Sequence, residues 1–481
     1  MTTDQAPGAG ATGTNEPEPA PSTAPLPPDT GGVDRLVYDR RWAILGVLCL
    51  SLVLVVVGLA SLLATFATSP NQLIATRAVM GLGAAFVMPA TLSILANVFP
   101  PSERARAIAI WAGFSGAGAA IGPVLSGFLL GHFWWGSVFF VNVPIVVVAL
   151  VAGAIMVPTS KDPNHSKLDP IGALFSVIAL ASLLYAIIEA PVKGWGSTST
   201  VLGFVGFAVF AVAFVVWEQR SAAPMLPMNF FRNRRFSVGA TTITLTFFCM
   251  FGLFFVLTQY LQFVLGFTPF KAGLATLPLA AMLVIFAPRS ASFVARWGQA
   301  RVQAFGLTMV AVGLLIVASL TPTSNYGVIA LSLMVMGLGM ACTTAPATNA
   351  IISSVPLSKA GVGSAVNDTT REVGGALGIA VLGSLINSAY RSSMASHVGG
   401  LPDGLAAIAR DSVGGAYEVA KLAPGAAGNQ LNAVAATAYT DALGIAVTCA
   451  AVVALAAAVM VLVFFPKTPP VLSDEPAELN D

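Results

Sequence analysis

Asp368, Arg371 and Glu372 stand at i, i+3 and i+4 inside a long apolar stretch, so a continuous helix carries all three on one face. Roughly 13 to 20 Å along that helix from Lys359, they bracket the middle of a bilayer. Ionisable groups at that depth cost roughly 2.5 to 3.5 kcal/mol or more, which makes each a candidate for function. Arg371 can neutralise one acid. The other is left unpaired in low dielectric, able to take up a proton near neutral pH and release it when water arrives from the opposite side. The alternative is a structural salt-bridge cluster beside a hydrated cytoplasmic mouth.

A second pattern concerns packing. Gly118, Gly122 and Ser126 recur every four residues, with Gly127 beside them, and small residues at that spacing cut a groove where another helix backbone can approach. Pro123 removes a backbone donor and bends the helix. A third pattern concerns ligands: Gln259, Gln262, Thr343, Thr344, Thr348, Asn349 and Asn367 are uncharged polar residues among apolar neighbours, with Phe247, Phe248, Met250, Phe251, Phe254 and Phe255 nearby. An adaptable apolar wall with few fixed polar points suits diverse amphipathic molecules, although such an aromatic run also serves as core or lipid-facing surface. There is no GxxxxGK[ST], HExxH or GxSxG sequence and no Cys/His cluster, which argues against ATP-driven, metal-dependent or hydrolytic chemistry.

These residues need elements that hold them at membrane depth. Of 481 residues, 56% are hydrophobic and 9% charged, where a soluble domain carries roughly a quarter charged; a water-soluble enzyme is excluded. The net charge of +2 gives no reason to expect nucleic acid. About twelve stretches are long enough to cross roughly 30 Å of hydrocarbon as helices: 42–68, 73–99, 107–130, 138–157, 170–190, 201–217, 237–265, 272–294, 302–320, 328–355, 361–386 and 438–465. They are too long and too continuously apolar for barrel strands, so the expected fold is an all-α integral membrane protein. Residues 1–40 form a Pro/Gly-rich tail without the basic and apolar regions of a signal peptide. Cys49, Cys249, Cys342 and Cys449 all fall inside spans without CxxC spacing and are expected to be small buried hydrophobes.

Lys and Arg concentrate in alternate loops. Arg35, Arg40, Arg41, Arg104, Arg106, Lys161, Lys167, Arg220, Arg232, Arg234, Arg235, Arg289, Arg296, Arg301, Lys359 and Lys467 fall on one side, against Lys193 and Lys271 in the short loops of the other. Positive loops stay cytoplasmic, so both termini are expected inside. The expected organisation is a tail (1–40), a first bundle (41–158), a two-span linker pair (159–220), a second bundle (221–466) whose outside loop 387–436 is long and polar, and a tail (467–481). VMGLGAA at 79–85 recurs as VMGLGMA at 335–341, and Gly118 and Gly122 pair with Gly374 and Gly378 at the same offset of 256. Both copies keep the same membrane sense, the pattern of transporters built from parallel repeats. The first bundle, with four spans against six, is short.

LIATRAVMGLGAAFVMPATLSIL (73–95), PPSERARAIAIWAGFSGAGAAIGPVLSG (100–127), FVNVP (140–144) and GVGSAVNDTTREVGGALGIAVLGSL (361–385) together resemble the major facilitator superfamily. More narrowly they are similar to its fourteen-span drug:proton antiporter branch, of EmrB/QacA type, over nearly everything from Arg41 to Pro466. About sixty residues of that branch, including an acidic residue of its first span, are absent near Val55–Gly58, and replacing three spans by one preserves the orientation of all that follows. The resemblance implies proton-coupled efflux of amphipathic drugs across the plasma membrane, with a small amphipathic substrate, protons and the lipid bilayer as partners. No enzyme activity, cofactor, ATP or nucleic acid is expected, and the expected state is a monomer. The resemblance assigns Arg77 a part in proton coupling beside Asp368, Arg371 and Glu372, where an outward-snorkelling Arg is the alternative. It makes Gly118, Gly122, Pro123 and Gly127 the antiporter-motif helix that seals the two bundles; Gln259, Gln262, Thr348, Asn349 and Asn367 are expected in the substrate cavity from their residue types alone. An internally deleted, non-transporting relative and a small-metabolite uniporter or importer remain the alternatives.

Overall fold

The computed structural model describes residues 63–69, 71–78, 81, 95, 99–141, 143–144, 146–148, 151, 169–221, 224–356, 359–422 and 425–466. The expected tails, the region around Val55–Gly58, most of the first and second expected spans and half of the fourth lie outside these residues, as does Cys49. The described part of the first half is dominated by α1 (Pro101–His132), followed by the short α2 (Ser137–Phe140). The linker pair is α3 (Pro170–Lys193) and α4 (Thr198–Arg220). The second half comprises α5 (Arg234–Gln259), α6 (Pro269–Leu274), α7 (Leu277–Phe286), α8 (Ser290–Trp297), α9 (Gln299–Ala318), α10 (Tyr326–Ile352), α11 (Ala360–Met394), α12 (Asp403–Asp411), α13 (Val413–Leu422) and α14 (Ala426–Phe464). Among the described residues eight helical stretches are long and apolar enough to cross a membrane, all from Pro170 onward. Each of the last eight expected spans has one of them, and α1 covers the third.

The single expected span over 272–294 is broken in two places. Pro278 and Pro288 each lack the N–H that would close an α-turn, so the chain stops at Ala275 and Thr276, where the Thr276 hydroxyl donates to the Gly273 carbonyl (2.7 Å), and again at Ala287–Arg289. Gly298, at φ 82°, turns the chain directly from α8 into α9, a conformation that side chains with a Cβ resist. The polar stretch 387–436 is largely helical: it holds the last two turns of α11, then α12 and α13, and the first turns of α14. The Tyr390 hydroxyl donates to Ala409 O (3.0 Å) and Arg391 pairs with Asp411 (3.4 Å), tying this layer to α11.

The core of the second half runs between α5, α7, α9, α10, α11 and α14 and is almost wholly apolar. Tyr439 donates to Val256 O (2.8 Å) and Cys249 lies against Ala450 O (3.5 Å), whereas the Gln303 amide of α9 is buried without a partner. Cys249 and Cys342 are buried free thiols as expected, whereas Cys449 faces outward. The linker pair leans on α11 through the Ser384 hydroxyl, which donates to Ile187 O (2.6 Å).

The two halves meet backbone to backbone. A Cβ on Gly127 of α1 would stand 2.5 Å from Pro269 O and 2.6 Å from Phe270 Cα, and one on Gly273 would stand 2.5 Å from Pro123 O. Each glycine is therefore required by the other helix. Gly122 meets nothing within 4 Å, so of these two glycines of α1 only Gly127 is a close-packing position. Gly127→Ala should lower stability by about 1–3 kcal/mol through overpacking. Gly122→Ala should be neutral or gain up to about 1 kcal/mol from helix propensity. Thermal unfolding of the purified pair checks this, and equal losses would contradict the assigned contact.

Candidate functional site

α11 begins at Ala360 after Lys359 and runs unbroken through the ionisable trio. The trio does not form the expected ion pair. Asp368 is 6% exposed, accepts a hydrogen bond at Oδ1 from Asn367 Nδ2 (3.3 Å), and has a buried Oδ2 with no partner. Arg371, 8% exposed, reaches away from its own helix: Nη2 donates to Thr348 Oγ1 of α10 (3.2 Å), and Thr348 in turn donates to Asn367 Oδ1 (2.9 Å). Among the described residues no ion pair joins Arg371 to either acid. Helical spacing permits an i,i+3 pair, but here the guanidinium meets a hydroxyl and two aromatic faces, and its Nε is buried without an acceptor.

The guanidinium carbon lies 4.8 Å from the ring centroid of Trp111 and 5.2 Å from that of Phe247. Such cation–π contacts contribute about 0.5–2 kcal/mol, more as water is excluded, and Trp111 is fully buried. Trp111 belongs to α1, Phe247 to α5 and Arg371 to α11, so one cation links the first half to the second. Glu372 is exposed, one residue beyond Arg371. The trio thus divides into a buried carboxyl with one open oxygen, a buried cation held by π faces, and an exposed acid. A buried carboxylate oxygen without a donor is an uncommon feature, and a proton is the smallest species that can complete it.

Thr348 and Asn367 of the expected substrate set join this network, and Asn349 flanks it, partly buried. Gln259 and Gln262 lie elsewhere, at the far end of α5, where Gln259 Nε2 reaches the Phe255 carbonyl at 3.5 Å. Two cavities, of about 550 and 460 Å³, are lined by neither group. Arg77 is exposed on the helical stretch 71–78 and makes no described contact with the α11 network. Trp111 was not among the residues singled out from sequence. The available signal was an indole eleven residues into a helix that opens at Pro101, but nothing local says which cation it will meet 260 residues later. Gly374 and Gly378, the sequence counterparts of Gly118 and Gly122, pack α11 against the carbonyls of Thr244 and Phe248 on α5, within one half instead of between halves.

Together the bundle of long apolar helices, the seam between two halves and a buried charged network on that seam define a multi-pass membrane transporter. In shape the chain is similar to an auto-inhibited POT family peptide transporter (TM-score 0.51, 15% identity, covering 92% of this chain and 86% of that one). It is also similar to a bacterial homologue of the human lysosomal transporter Spinster in an inward-facing, unoccupied conformation (TM-score 0.50, 18% identity, 89% and 88%). The Major Facilitator Superfamily model matches residues 34–379, and the chain belongs to that superfamily. Its curated relatives include the multidrug efflux pump LfrA of Mycolicibacterium smegmatis, 36% identical over 406 residues covering 84% of this chain and 80% of that protein. The tetracenomycin C resistance and export protein of Streptomyces glaucescens is 33% identical, covering 82% and 74%.

Proposed function

We propose that this protein exports amphipathic drugs or toxic small molecules across the plasma membrane in exchange for protons, with Asp368 as the main proton-binding group. The observation that carries the proposal is the open, buried Oδ2 of Asp368 beside the Arg371–Trp111 contact between the two halves. The drug efflux and resistance proteins among the relatives support the substrate class. Arg371 holds positive charge next to that carboxyl in a low-dielectric seam, so a change in its protonation alters what keeps the halves together. This is the coupling an antiporter requires: proton release on one side and substrate release on the other, each favouring one arrangement of the seam.

Arg77 and Glu372 are assigned secondary parts in moving protons, Gly118, Gly122, Pro123 and Gly127 the antiporter-motif helix, and Gln259, Gln262, Thr348, Asn349 and Asn367 the polar points of the substrate path. The accumulation of Arg220, Arg232, Arg234, Arg235, Arg289, Arg296 and Arg301 at one end of the helices supports placing that end, and both termini, in the cytoplasm. The motifs quoted above support placing the chain in the fourteen-span branch, shortened near Val55–Gly58.

The test is dye transport in inverted membrane vesicles. Movement of a fluorescent cationic dye should follow an imposed proton gradient and collapse when a protonophore dissipates it. Dye movement indifferent to the gradient would refute proton coupling. No movement at all by a chain shown to be inserted and folded would favour the internally deleted, non-transporting relative.

A further inference from the structure

A second buried carboxylate with an open oxygen, that of Glu218, lies on the linker pair beside Asp169. Asp169 caps the N-terminus of α3: Oδ1 accepts from Gly172 N (2.9 Å), as an N-cap side chain does. The indole Nε1 of Trp217, on α4, donates to the same carboxylate at 2.9 Å to Oδ1 and 3.0 Å to Oδ2. The next residue, Glu218, turns inward and is 3% exposed. Its Oε2 accepts from Leu226 N (3.0 Å), in the segment that leads into the second half, while Oε1 is buried without a partner.

Gly172 fixes how close the two acids are. A Cβ there would stand 2.7 Å from Asp169 Oδ2 and 2.7 Å from Glu218 Oε1, so the two oxygens are no further apart than twice that distance and flank one small space. The charged groups on the surrounding elements do not neutralise them. On α4, Arg220 is exposed; on the 3-10 turn Met228–Arg232, Arg232 is exposed; on α5, Arg234 is exposed and Arg235 lies over the Phe465 ring (5.3 Å). Glu189 and Lys193 pair with each other at the other end of α3 (3.0 Å). Among the described residues no ion pair reaches either acid; Lys161, His165 and Lys167 precede Asp169 outside those residues.

We infer that Asp169 and Glu218 form a carboxyl–carboxylate pair that binds one proton, passed from Glu218 Oε1 to Asp169 Oδ2 directly or through one water molecule. A metal ion fits poorly: hard cations require about six oxygen ligands, and here three of the four carboxylate oxygens already accept from Trp217, Gly172 or Leu226. A proton needs no coordination shell, relieves the repulsion between buried Glu218 and half-buried Asp169, and gives Glu218 Oε1 a bond. The site joins the ends of α3 and α4 to the entry of the second half, and α3 is itself bonded to α11 at Ser384. Proton binding at this end of the linker pair is thus mechanically connected to the helix that carries Asp368. Only that connection rests on the transport proposal; the proton site itself does not.

The test is pH-dependent infrared spectroscopy of the purified, bilayer-embedded full chain carrying Asp368→Asn and Glu372→Gln, following the carbonyl stretch of protonated carboxyls. Because no transport is measured and the α11 acids are absent, the outcome is independent of the antiport proposal. The expected result is a titrating band that Glu218→Gln removes and Asp169→Asn shifts by about one pH unit or more, a tenfold change in proton affinity. Gly172→Ala, which keeps both carboxyls but places a methyl between them, should shift it too and serves if Glu218→Gln fails to fold. A band unaffected by Glu218→Gln, or one whose midpoint neither Asp169→Asn nor Gly172→Ala moves, would overturn a shared proton.

Discussion

Asp368→Asn should abolish gradient-driven dye movement in inverted vesicles, by on the order of a hundredfold, the low end of what losing a proton-transferring side chain costs. The substitution keeps the size of the side chain and an oxygen to accept from Asn367, so the α10–α11 network with Thr348 and Arg371 should survive. What goes is the titratable group. Dye exchange without a gradient should therefore persist, since it needs the two halves to rearrange but no proton to be carried. Glu372→Gln alters an exposed acid and should leave most of the coupled transport. Parent-like coupling in Asp368→Asn, or loss of both coupled and uncoupled exchange in a folded variant, would remove Asp368 from the proton path.

The largest effect on stability is expected at Gly378. A Cβ there would fall on the backbone carbonyl of Phe248, closer than side-chain atoms pack, and one at Gly374 would fall on that of Thr244. Backbone cannot rotate aside as a side chain can, so even Gly378→Ala should cost about 1–3 kcal/mol, at the upper end of overpacking, and a larger residue should prevent α5 and α11 from docking. Gly383 provides the control. Its Cβ would meet only the Phe255 ring, at 3.1 Å, and a ring can move. Chemical unfolding of purified Gly378→Ala and Gly383→Ala should separate them clearly, and comparable midpoints would show that α11 shifts bodily without cost.

The apolar spans were legible because hydrocarbon imposes a length on every crossing helix, and each of the last eight expected spans reappears, although the one over 272–294 ends early at Phe286 and those over 361–386 and 438–465 extend to Met394 and back to Ala426. The breaks at Pro278 and Pro288 were also within reach, since each proline removes a donor, but hydropathy averages over them. The Asp368 site was legible in its residues and not in its pairing. Asp368 and Arg371 are neighbours on a helix surface, yet the guanidinium chose Thr348, Phe247 and Trp111, positions separated from it by up to 260 residues of chain. The Asp169–Glu218 pair, with Glu218 buried and Asp169 half-buried, escaped notice because both residues sit at helix ends, where an acid is ordinarily solvated. Depth at the end of a helix depends on which neighbouring helix covers it, and only the tertiary fold supplies that.

At the far end of α5, Tyr260–Val264 form a π turn in which Leu265 N bonds to Tyr260 O (3.0 Å) and the Tyr260 hydroxyl anchors to Thr321 O (2.6 Å). A π turn is an α-helix holding one residue too many. Removing one residue there would restore uninterrupted α-helical phase and rotate everything beyond it by about 100°, the angle per residue of an α-helix. The surplus residue therefore sets which way Gln262 and Phe263 face relative to the core-facing stripe of α5, making this a point where the chain's length, more than its chemistry, decides what faces the interior.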